Sequence, residues 1–417
     1  MKVFEFKLYG EQNQFEAIDR AIRTTQFIRN SCLAVWMDNG KKPRHERAKI
    51  GKFDFNNYAT ALAHQHDFVA KLGSQARQAA AERAWLAVSR FYENCKKKKP
   101  GKKGYPKFRH NVRSVEYKQA GWKLSKEFKQ LKITDKNEIG TLRMRGGRQL
   151  TQGDVDNIKR VRLVKKANGY FVQFNIALPN VEHVAPTGQA IGLDVGLESF
   201  YVDSNAERVE NPRFLRKSER KLKFLQRRVS RKKKGSKNRK KAIKKLAKKH
   251  NKVSCQRKDF AVKTARCVVK SNDFVAIENL KVRNMVRNRK LAKSISDVSW
   301  RMFRTYLEYF GAKFGKTVIA VDPRNTSQRC SKCGKLPTKN KTLDVREHDC
   351  EFCGYKTHRD HNSAIEVLQL GLSTAGHAGI HAWGNLASTS CHGNGTMQVE
   401  LLNQEPPVSS ETGIPVL

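Results

Sequence analysis

Four cysteines occur in two CxxC pairs whose spacing is typical of a structural metal site. Cys330-Ser-Lys-Cys333 and Cys350-Glu-Phe-Cys353 are separated by sixteen residues, and a glycine follows each pair. A CxxC turn brings two thiolates within reach of one ion, about 2.3 Å from each sulfur, and glycine accepts the backbone angles of such a turn. Two pairs complete a tetrahedral sulfur shell, which favours Zn²⁺. We therefore predict a structural zinc ribbon, and the alternative is that the CxxC pairs are redox motifs or chance matches.

Three acidic residues lie where an unpaired charge needs a partner. Asp194 lies in the apolar segment IGLDVG, and Glu278 ends the apolar segment FVAIENL. Asp360 lies in HRDHNSAIEV, at the start of a predicted helix. A buried carboxylate without a cation or solvent is costly, and Gly196 leaves room for a ligand to approach Asp194 closely.

The order of these acids, on a strand, a second strand and a helix start, is the pattern of an RNase H-like nuclease site. Such a site binds two Mg²⁺ ions, which activate a water and stabilise the leaving oxygen of a phosphodiester. Taken singly, each acid has a simpler interpretation. In particular, Asp360 or Asn362 could cap the helix that follows.

The N-terminal half alternates between strand and helix patterns. Apolar residues at every second position predict a strand over residues 3–9, and helical spacing follows from Gln12. A second helix is predicted from about Gln75 to Tyr92. Residues 105–180 are strand-rich, and Asn168-Gly169 predicts a type I′ hairpin turn. These patterns favour one β-barrel with a helical insert.

The charge of the chain points to a polyanionic partner. The 417 residues contain 84 Lys and Arg against 38 Asp and Glu, a formal net charge of +46. Such an excess opposes a compact state unless an anion neutralises it. This disfavours a stand-alone small-molecule enzyme and favours nucleic acid. The sequence has no apolar run long enough to span a membrane and no signal peptide, so we expect a cytoplasmic protein without a membrane partner.

The most charged segment, residues 216–249, holds 19 Lys and Arg and one acid, Glu219. Leu222, Leu225 and Val229 keep helical spacing, as do Ile243 and Leu246, so we predict two basic helices with a break at Lys234-Gly235-Ser236. A charge run is often only a solvated helix face. Here the excess favours contacts with a phosphate backbone, and the candidate residues are Lys232, Lys233, Lys234 and Lys237.

Several segments in the same order resemble the TnpB (OrfB) family of transposon-encoded RNA-guided nucleases, relatives of type V CRISPR effectors. Two departures from the family pattern are His358-Arg359-Asp360, where many relatives have Asp-Arg-Asp, and Asn362-Ser363-Ala364, where they have Asn-Ala-Ala. Neither removes a catalytic acid, which weighs against a nuclease-dead regulator. The matching segments are IGLDVGLESFYVDS, LQRRVSRKKKGSKNRKKA, AIENLKVRNMVRNRKLAKSISDVSW, TSQRCSKCG and CEFCGYKTHRDHNSAIEV.

The resemblance implies an α+β multidomain fold. Its N-terminal half would be a wedge-type β-barrel with a helical recognition insert, and its C-terminal half an RNase H-like (RuvC) α/β nuclease domain with an inserted zinc ribbon. The implied bounds are 1–10 and 105–187 for the barrel, 11–104 for the insert, 188–326 and 357–371 for the nuclease domain with basic helices over 214–270, 327–356 for the ribbon, and 372–417 for a disordered tail.

The resemblance also implies an RNA-guided DNA endonuclease of a bacterial insertion sequence. Asp194, Glu278 and Asp360 carry over as the catalytic Mg²⁺ ligands, and Ser74 and Gln78 are candidates for contacts with a short flanking DNA motif. The helix that carries Ser74 and Gln78 could equally serve only for packing. The partners would be a guide RNA from the transposon flank and double-stranded target DNA. The protein itself would be monomeric and associated with the nucleoid.

Two alternatives come from other functional classes. A non-catalytic nucleic-acid-binding regulator would explain the charge and the zinc site but not three acids in apolar surroundings. A DDE-type transposase shares the fold and the metal ions but joins DNA strands. Strand-transfer products would distinguish the transposase from a nuclease that only cleaves.

Overall fold

The chain divides into two compact units: residues up to 178, together with the strand at 404–405, belong to the first, and the described residues from 182 to 375 belong to the second. The first unit contains an eight-stranded sheet, and the second contains a five-stranded sheet and a two-stranded hairpin. Among the described helices, none combines the length and the apolar content needed to cross a membrane. The computed structural model describes residues 2–98, 100–147, 149–177, 182, 184–342, 344–375 and 404–405.

The first unit combines an antiparallel sheet with a group of helices inserted after its first strand. A 3-10 turn at Arg44–Glu46 lies between the first two helices. In chain order the elements are β1 (Lys2–Tyr9), α1 (Gln12–Lys41), α2 (Lys52–Gln65), α3 (Asp67–Ala70), α4 (Ser74–Lys96), β2 (Ser114–Tyr117), β3 (Trp122–Leu124), β4 (Gln130–Ile133), β5 (Gly140–Arg145), α5 (Gln152–Asp156), β6 (Ile158–Lys166) and β7 (Gly169–Ile176).

The sheet of the first unit has β1 at its centre. Its strand order is β2-β6-β7-β1-β5-β4-β3, and a two-residue strand, Gln404–Glu405, also pairs with β1. Phe4, Phe6 and Leu8 are all buried, which confirms the predicted strand with one core face. β2 and β3 are the two edge strands of this order, and in the described part of the chain they do not pair with each other. The structure therefore shows a sheet, and closure into a barrel stays a prediction.

The β6–β7 hairpin confirms the predicted strand pair but shifts its turn by one residue. Lys166 pairs with Gly169, so Ala167 and Asn168 are the two central residues of the turn. A type I′ turn requires positive φ at both central residues. Gly169 has a φ of 135°, whereas Ala167 and Asn168 do not have positive φ. The predicted type I′ turn at Asn168-Gly169 is therefore wrong.

The helices of the first unit pack through small side chains. α4 buries a stripe of alanines, which lets α1 and α2 approach closely. α4 confirms the helix predicted near Gln75 and extends it at both ends, whereas α2 was not predicted. Its buried face consists of Phe55, Ala59 and Leu62, a helical spacing that polar and aromatic neighbours obscure in the sequence.

The second unit contains both groups of candidate residues. Its first three strands precede the two long basic helices, and its last helix follows the cysteine pairs. The elements are β8 (Ala190–Asp194), β9 (Ser199–Asp203), β10 (Arg208–Glu210), α6 (Phe214–Ser230), α7 (Lys237–Ser271), β11 (Phe274–Glu278), α8 (Val282–Met285), α9 (Ala292–Val298), α10 (Trp300–Phe314), β12 (Thr317–Val321), β13 (Glu347–Asp349), β14 (Lys356–His358) and α11 (Arg359–Thr374).

The five-stranded sheet of this unit has the order β10-β9-β8-β11-β12. β8, β11 and β12 are parallel, and β9 and β10 are antiparallel to their neighbours. Helices cover both faces, since Val275 and Ile277 pack against α7 and α10, whereas Phe274 and Ala276 pack against α11. Burial on both faces is why this strand reads as a continuous apolar run.

Two glycines let α11 lie directly on the sheet. A Cβ on Gly192 of β8 would stand 2.1 Å from the carbonyl oxygen of Ala364, and a Cβ on Gly371 of α11 would stand 2.6 Å from Cβ of Ala276. Contacts this short do not occur between real Cβ atoms and their neighbours. Each glycine therefore fixes how closely the helix approaches β8 or β11.

The division between the units precedes the predicted boundary near residue 188. The connecting segment with Pro186 is bound to the second unit, because the N–H groups of Thr187 and Gly188 donate to Asp273, at 2.8 and 2.7 Å. At the other end, α11 continues to Thr374, so residues 372–374 are not part of a disordered tail. From residue 376 on, apart from 404–405, the predicted tail lies outside the described residues.

Candidate active site and zinc site

Asp194 and Glu278 end two neighbouring parallel strands. β8 and β11 pair in register, with Leu193 opposite Ile277 directly before the two acids. The carboxyl ends of parallel strands lie at the same edge of a sheet, where ligands bind in open α/β sheets. The strand pairing thus brings together two residues that are far apart in the sequence.

α11 brings Asp360 to the same place. The pKa of Asp194 lies well above its usual value because burial, and then the negative charges of Glu278 and Asp360, disfavour its ionised form. Burial also raises the pKa of Glu278. Asp194 and the two carboxylates whose charges act on it, Glu278 and Asp360, are a hard, anionic donor set. Such a set fits a divalent cation with oxygen ligands.

Asp360 does not cap its helix, contrary to the simpler interpretation. The N-cap is His358, whose Nδ1 accepts a hydrogen bond from the backbone N–H of Asp360 at 3.2 Å. The side chain of Asn362 is fully buried and bonds to the backbone on either side of Cys330. The Asp360 carboxylate is thus left free of a capping role, with 24% of its side chain exposed.

Thr326 is a neighbour of the carboxylates that sequence reasoning missed. Its Oγ1 donates to Oε1 of Glu278 at 2.5 Å, and both side chains are buried. This hydrogen bond favours the charged form and partly offsets the effect of burial on the pKa of Glu278. The signal for Thr326 in the sequence was its position in TSQRC, four residues before Cys330, the first cysteine of the cluster.

Gly196 has a local explanation in the structure. A Cβ there would stand 3.2 Å from the carbonyl oxygen of Ser199, and the carbonyl of Gly196 accepts a hydrogen bond from the indole N–H of Trp300 at 3.3 Å. The glycine thus serves the tight connection from β8 to β9. This accounts for Gly196 without a ligand.

The four cysteines form a compact sulfur cluster. The sulfur atoms of Cys330, Cys333, Cys350 and Cys353 all lie within 4.8 Å of one another. Two of the separations are 3.7 Å (Cys330 to Cys353) and 3.6 Å (Cys333 to Cys350). A tetrahedral zinc site with Zn–S bonds of about 2.3 Å requires sulfurs about 3.8 Å apart. The donor set and its spacing therefore fit Zn²⁺.

The two knuckles repeat the same backbone geometry. In each, the N–H of the glycine after the pair donates to the carbonyl of the first cysteine at 2.8 Å, from Gly334 to Cys330 and from Gly354 to Cys350. Both glycines have positive φ, 72° and 66°. This is the backbone requirement that the sequence pattern indicated.

The basic segment forms two helices joined by a short loop. α6 ends at Ser230 and α7 begins at Lys237, so the break contains the predicted Lys234-Gly235-Ser236 and starts slightly earlier. The predicted inner face of α6 is confirmed, with Leu222, Leu225 and Val229 buried. Lys232, Lys233, Lys234 and Lys237 are all exposed in or beside this loop.

The first half of α7 differs from the prediction. Ile243 is 45% exposed and Leu246 is half-buried, so the predicted apolar face is not buried. The buried residues of α7 begin at Val253, because only the second half packs against the sheet. The first half exposes most of its lysines and Ile243, whereas Arg239 donates to the carbonyls of Val229 and Lys232.

Asp297 is a second residue that sequence reasoning missed. Its carboxylate accepts hydrogen bonds from the N–H groups of Leu215 and Arg216 at the start of α6, the nearest at 2.9 Å. It also binds the guanidinium of Arg257 on α7 at 2.8 Å. This buried acid therefore ties the two basic helices together.

Ser74 and Gln78 lie one helical turn apart at the start of α4, and both are exposed. Between them, Gln75 accepts a hydrogen bond from the N–H of Ala120 at 2.8 Å. The helix thus packs through other residues and leaves Ser74 and Gln78 accessible.

Two family models match this chain. One, OrfB_IS605, described as a probable transposase, matches residues 173–289. The other, described as the TNB domain of Cas12f1-like proteins, matches residues 300–367. The two matches together include all three carboxylates and all four clustered cysteines.

Two relatives cover most of the chain. A protein of Streptomyces pristinaespiralis, named for an inferred RNA-guided DNA endonuclease activity, is 28% identical over 386 residues, which are 90% of each chain. Escherichia coli K12 InsQ, named for the same inferred activity, is 28% identical over 300 residues, or 68% of this chain and 72% of that one.

A solved structure shares the fold. The Cas12f1 chain in a cryo-EM structure of the Cas12f1–sgRNA–target DNA complex matches 86% of this chain and 83% of its own length, with a TM-score of 0.51 and 16% identity. At this identity the likeness concerns the fold alone. The family models and relatives confirm the resemblance predicted from the motifs: the chain carries the OrfB_IS605 and Cas12f1-like segments and is similar to the TnpB (OrfB) family.

Proposed function

We propose that this protein is an RNA-guided DNA endonuclease of the IS605 type, which hydrolyses DNA next to a short flanking motif with divalent metal ions. The observation that supports the proposal is the placement of Asp194 and Glu278 at the ends of neighbouring parallel strands, with Asp360 near enough to Asp194 for its charge to raise the pKa of that acid. The inferred activity in the names of the two relatives supports it. A non-catalytic binding protein gives no reason to gather three repelling carboxylates.

In this proposal Asp194, Glu278 and Asp360 hold two Mg²⁺ ions, which when bound activate a water and stabilise the leaving oxygen. Asp194 and Glu278 supply ligands from rigid strands, and Asp360 supplies one from the first turn of α11. Thr326 fixes the orientation of the Glu278 carboxylate. The sulfur cluster has no open position for substrate, so its zinc is structural.

The fold supports the same proposal. The parallel strands β8, β11 and β12, with the antiparallel hairpin β9–β10 added beside β8 and helices on both faces, are the arrangement expected of an RNase H-like (RuvC) nuclease domain. The sheet of the first unit would be the wedge-type barrel, with α1 to α4 as its recognition insert. The exposed lysines between α6 and α7 would contact the guide RNA or its heteroduplex with DNA, and Ser74 and Gln78 would read the flanking motif.

The proposed partners are a guide RNA from the transposon flank and double-stranded DNA, in a monomeric cytoplasmic complex. Base pairing would read the target while the protein reads a short motif and the shape of the backbone. The net charge of +46 supports a nucleic-acid partner.

The experiment is to purify the protein with its RNA, sequence that RNA, and assay Mg²⁺-dependent cleavage of matching DNA. We expect a discrete non-coding RNA from the flank of the gene and cleavage without strand joining. Asp194→Ala should reduce cleavage at least 100-fold and leave RNA binding unchanged, because Asp194 would hold metal and not RNA. Strand-transfer products would favour the DDE-type transposase, and retained cleavage in the variant would contradict the carboxylate site.

A further inference from the structure

The two ends of the zinc ribbon each lie against one carboxylate. The leading leg, residues 326–331, begins at Thr326, whose hydroxyl donates to Glu278 at 2.5 Å. The trailing leg, residues 356–360, passes from β14 directly into α11 and ends on Asp360. The sulfur cluster therefore closes a loop of chain whose two ends both reach the carboxylates.

Asn362 connects the two legs. Its side chain is fully buried, with a relative exposure of 0%. Its amide N–H donates to the carbonyl of Arg329 at 2.7 Å, and its amide oxygen accepts from the N–H of Ser331 at 3.0 Å. These two backbone groups flank Cys330. One side chain thus fixes the first knuckle against the helical turn that carries Asp360.

Arg359 provides a second connection between the ribbon and α11. Its buried guanidinium donates to the carbonyls of Thr342 and Val345, at 2.6 and 3.2 Å. Its backbone N–H donates to the carbonyl of Arg346 at 2.8 Å. Buried hydrogen bonds of this kind are costly to break, because the polar groups that lose their partner stay buried and cannot bond to water instead.

We propose that the ribbon, closed by zinc, sets the position of Glu278 relative to Asp360, and that Asn362 and Thr326 are the positioning residues that transmit this constraint. The inference rests on the proposed function, which gives the carboxylates a divalent cation to hold. Mg²⁺ demands near-ideal octahedral geometry with ligands at about 2.0–2.1 Å. Residues that orient metal ligands typically contribute about 10–100-fold in metal affinity.

The test measures metal binding directly, with Mn²⁺ as a spectroscopically visible substitute for Mg²⁺. The full-length protein is titrated with Mn²⁺, and the free ion is followed by electron paramagnetic resonance. Asp194→Ala serves as the blank for other sites. Zinc content is measured on the same samples. We expect Asn362→Ala to weaken Mn²⁺ binding about 10–100-fold while about one zinc per chain is retained.

Gln369→Ala is the matched control. Gln369 lies on the same helix and donates to the carbonyl of Ser331 at 2.8 Å, but it is two helical turns further from Asp360. This variant also removes a hydrogen bond between α11 and the ribbon. If Asn362 acts on the metal site, the control should keep Mn²⁺ affinity within about threefold of the native protein. If both variants weaken Mn²⁺ binding equally, Asn362 only stabilises the ribbon, and its positioning role is overturned.

If Asn362→Ala does not fold, Thr326→Val tests the positioning role instead. Valine keeps the shape of threonine but removes the hydroxyl that donates to Glu278, and Thr326→Ser restores that donor. We expect about tenfold weaker Mn²⁺ binding for the valine variant and near-native binding for the serine variant. Native Mn²⁺ affinity in a folded, zinc-loaded Thr326→Val protein would overturn the proposal.

The same titration separates this inference from the proposed function. If the native protein binds no more Mn²⁺ than Asp194→Ala, the carboxylates hold no cation, and both proposals fail together. If the native protein binds Mn²⁺ and the Asn362 and Thr326 variants bind it equally well, only the positioning role fails and the nuclease proposal stands.

Discussion

The sulfur cluster and the carboxylate site are built in opposite ways. All four cysteines lie between residues 330 and 353, and each knuckle is a local turn closed by its own backbone hydrogen bonds. The three acids come from residues 194, 278 and 360, and they meet only because two strands pair and a helix packs on them. Sequence spacing therefore determines the first site, whereas long-range packing determines the second.

The two sites also differ in their effect on stability. Thiolates gathered around zinc gain binding free energy that contributes directly to folding. The Asp194 carboxylate is disfavoured first by burial and then by the negative charges of Glu278 and Asp360, which together raise its pKa. We therefore expect the loss of a cysteine to cost stability, and the loss of a carboxylate to cost activity while stabilising the metal-free protein.

The largest expected effect is that of Cys350→Ser. Removing one of four sulfur ligands should abolish zinc binding, whose contribution in small zinc domains is on the order of 10 kcal/mol. Metal analysis should fall from about one zinc per chain to none, and protease digestion should cut within residues 327–356. A variant that remains zinc-loaded and resistant would contradict the four-cysteine site.

Gly192→Ala should break the carboxylate site and spare the sulfur cluster. The added Cβ would meet the carbonyl oxygen of Ala364 at 2.1 Å, so α11 must move away from β8. Overpacking of this kind costs about 1–3 kcal/mol. We expect a lower Tm and at least tenfold slower cleavage with zinc content unchanged. Gly153→Ala, in α5 of the first unit, where φ is not positive and a Cβ meets nothing within 4 Å, is the control for a general effect of alanine.

Asp194→Asn should stabilise the metal-free protein, because it replaces a buried carboxylate, which the charges of Glu278 and Asp360 also disfavour, with a neutral amide. The gain expected is on the order of 1 kcal/mol, or roughly 2–4 °C in Tm. A calorimetric scan in chelator at neutral pH measures it, and zinc loss must be excluded by metal analysis. An unchanged or lower Tm would show that Asp194 is compensated by another group.

The same pair of proteins gives a pH dependence with a defined sign. The pKa of Asp194 is raised in the folded state, so the folded protein binds its proton more tightly than the unfolded chain. This group therefore stabilises the fold most below its unfolded pKa of about 3.9, and the contribution is lost as the pH rises through the folded value. The Tm difference between Asp194→Asn and the native protein should grow with pH in chelator and shrink when Mg²⁺ is added.

The smallest effect on stability is expected in the exposed basic loop. Replacing Lys232, Lys233, Lys234 and Lys237 with Gln should leave the Tm and the zinc content unchanged. If all four contact phosphates, the slope of log K against log[salt] for RNA binding should fall by about 3. Equal slopes for the two proteins between about 0.1 and 0.5 M salt would make the loop a solvated surface.

Local patterns were sufficient for much of the chain. The CxxC pairs, the strand with Phe4, Phe6 and Leu8, and the inner face of α6 were all predicted correctly. Each depends on residues within one turn or one face, where periodicity and turn chemistry decide the structure. The hairpin turn near Asn168 shows the limit, because strand register placed the turn one residue earlier than the Asn-Gly pair indicated.

Residues that serve distant contacts could not be predicted in their roles. Asn362 was interpreted as a cap, but its side chain spans from α11 to the first knuckle. Thr326 was given no role from the sequence, and its hydroxyl donates a hydrogen bond to Glu278. In each case the partner lies elsewhere in the sequence, and no local spacing identifies it.

The sequence by itself determined the ligands of the sulfur cluster, the acids at the ends of apolar segments and the excess of positive charge. These are properties of residue type and short-range spacing. Only the tertiary structure decided that Leu193 pairs with Ile277, that Gly192 admits α11, and that Asn362 bonds to the backbone beside Cys330. The reason is physical: a carboxylate's environment depends on which strands and helices are packed beside it, and that packing is set by contacts between residues remote in the chain.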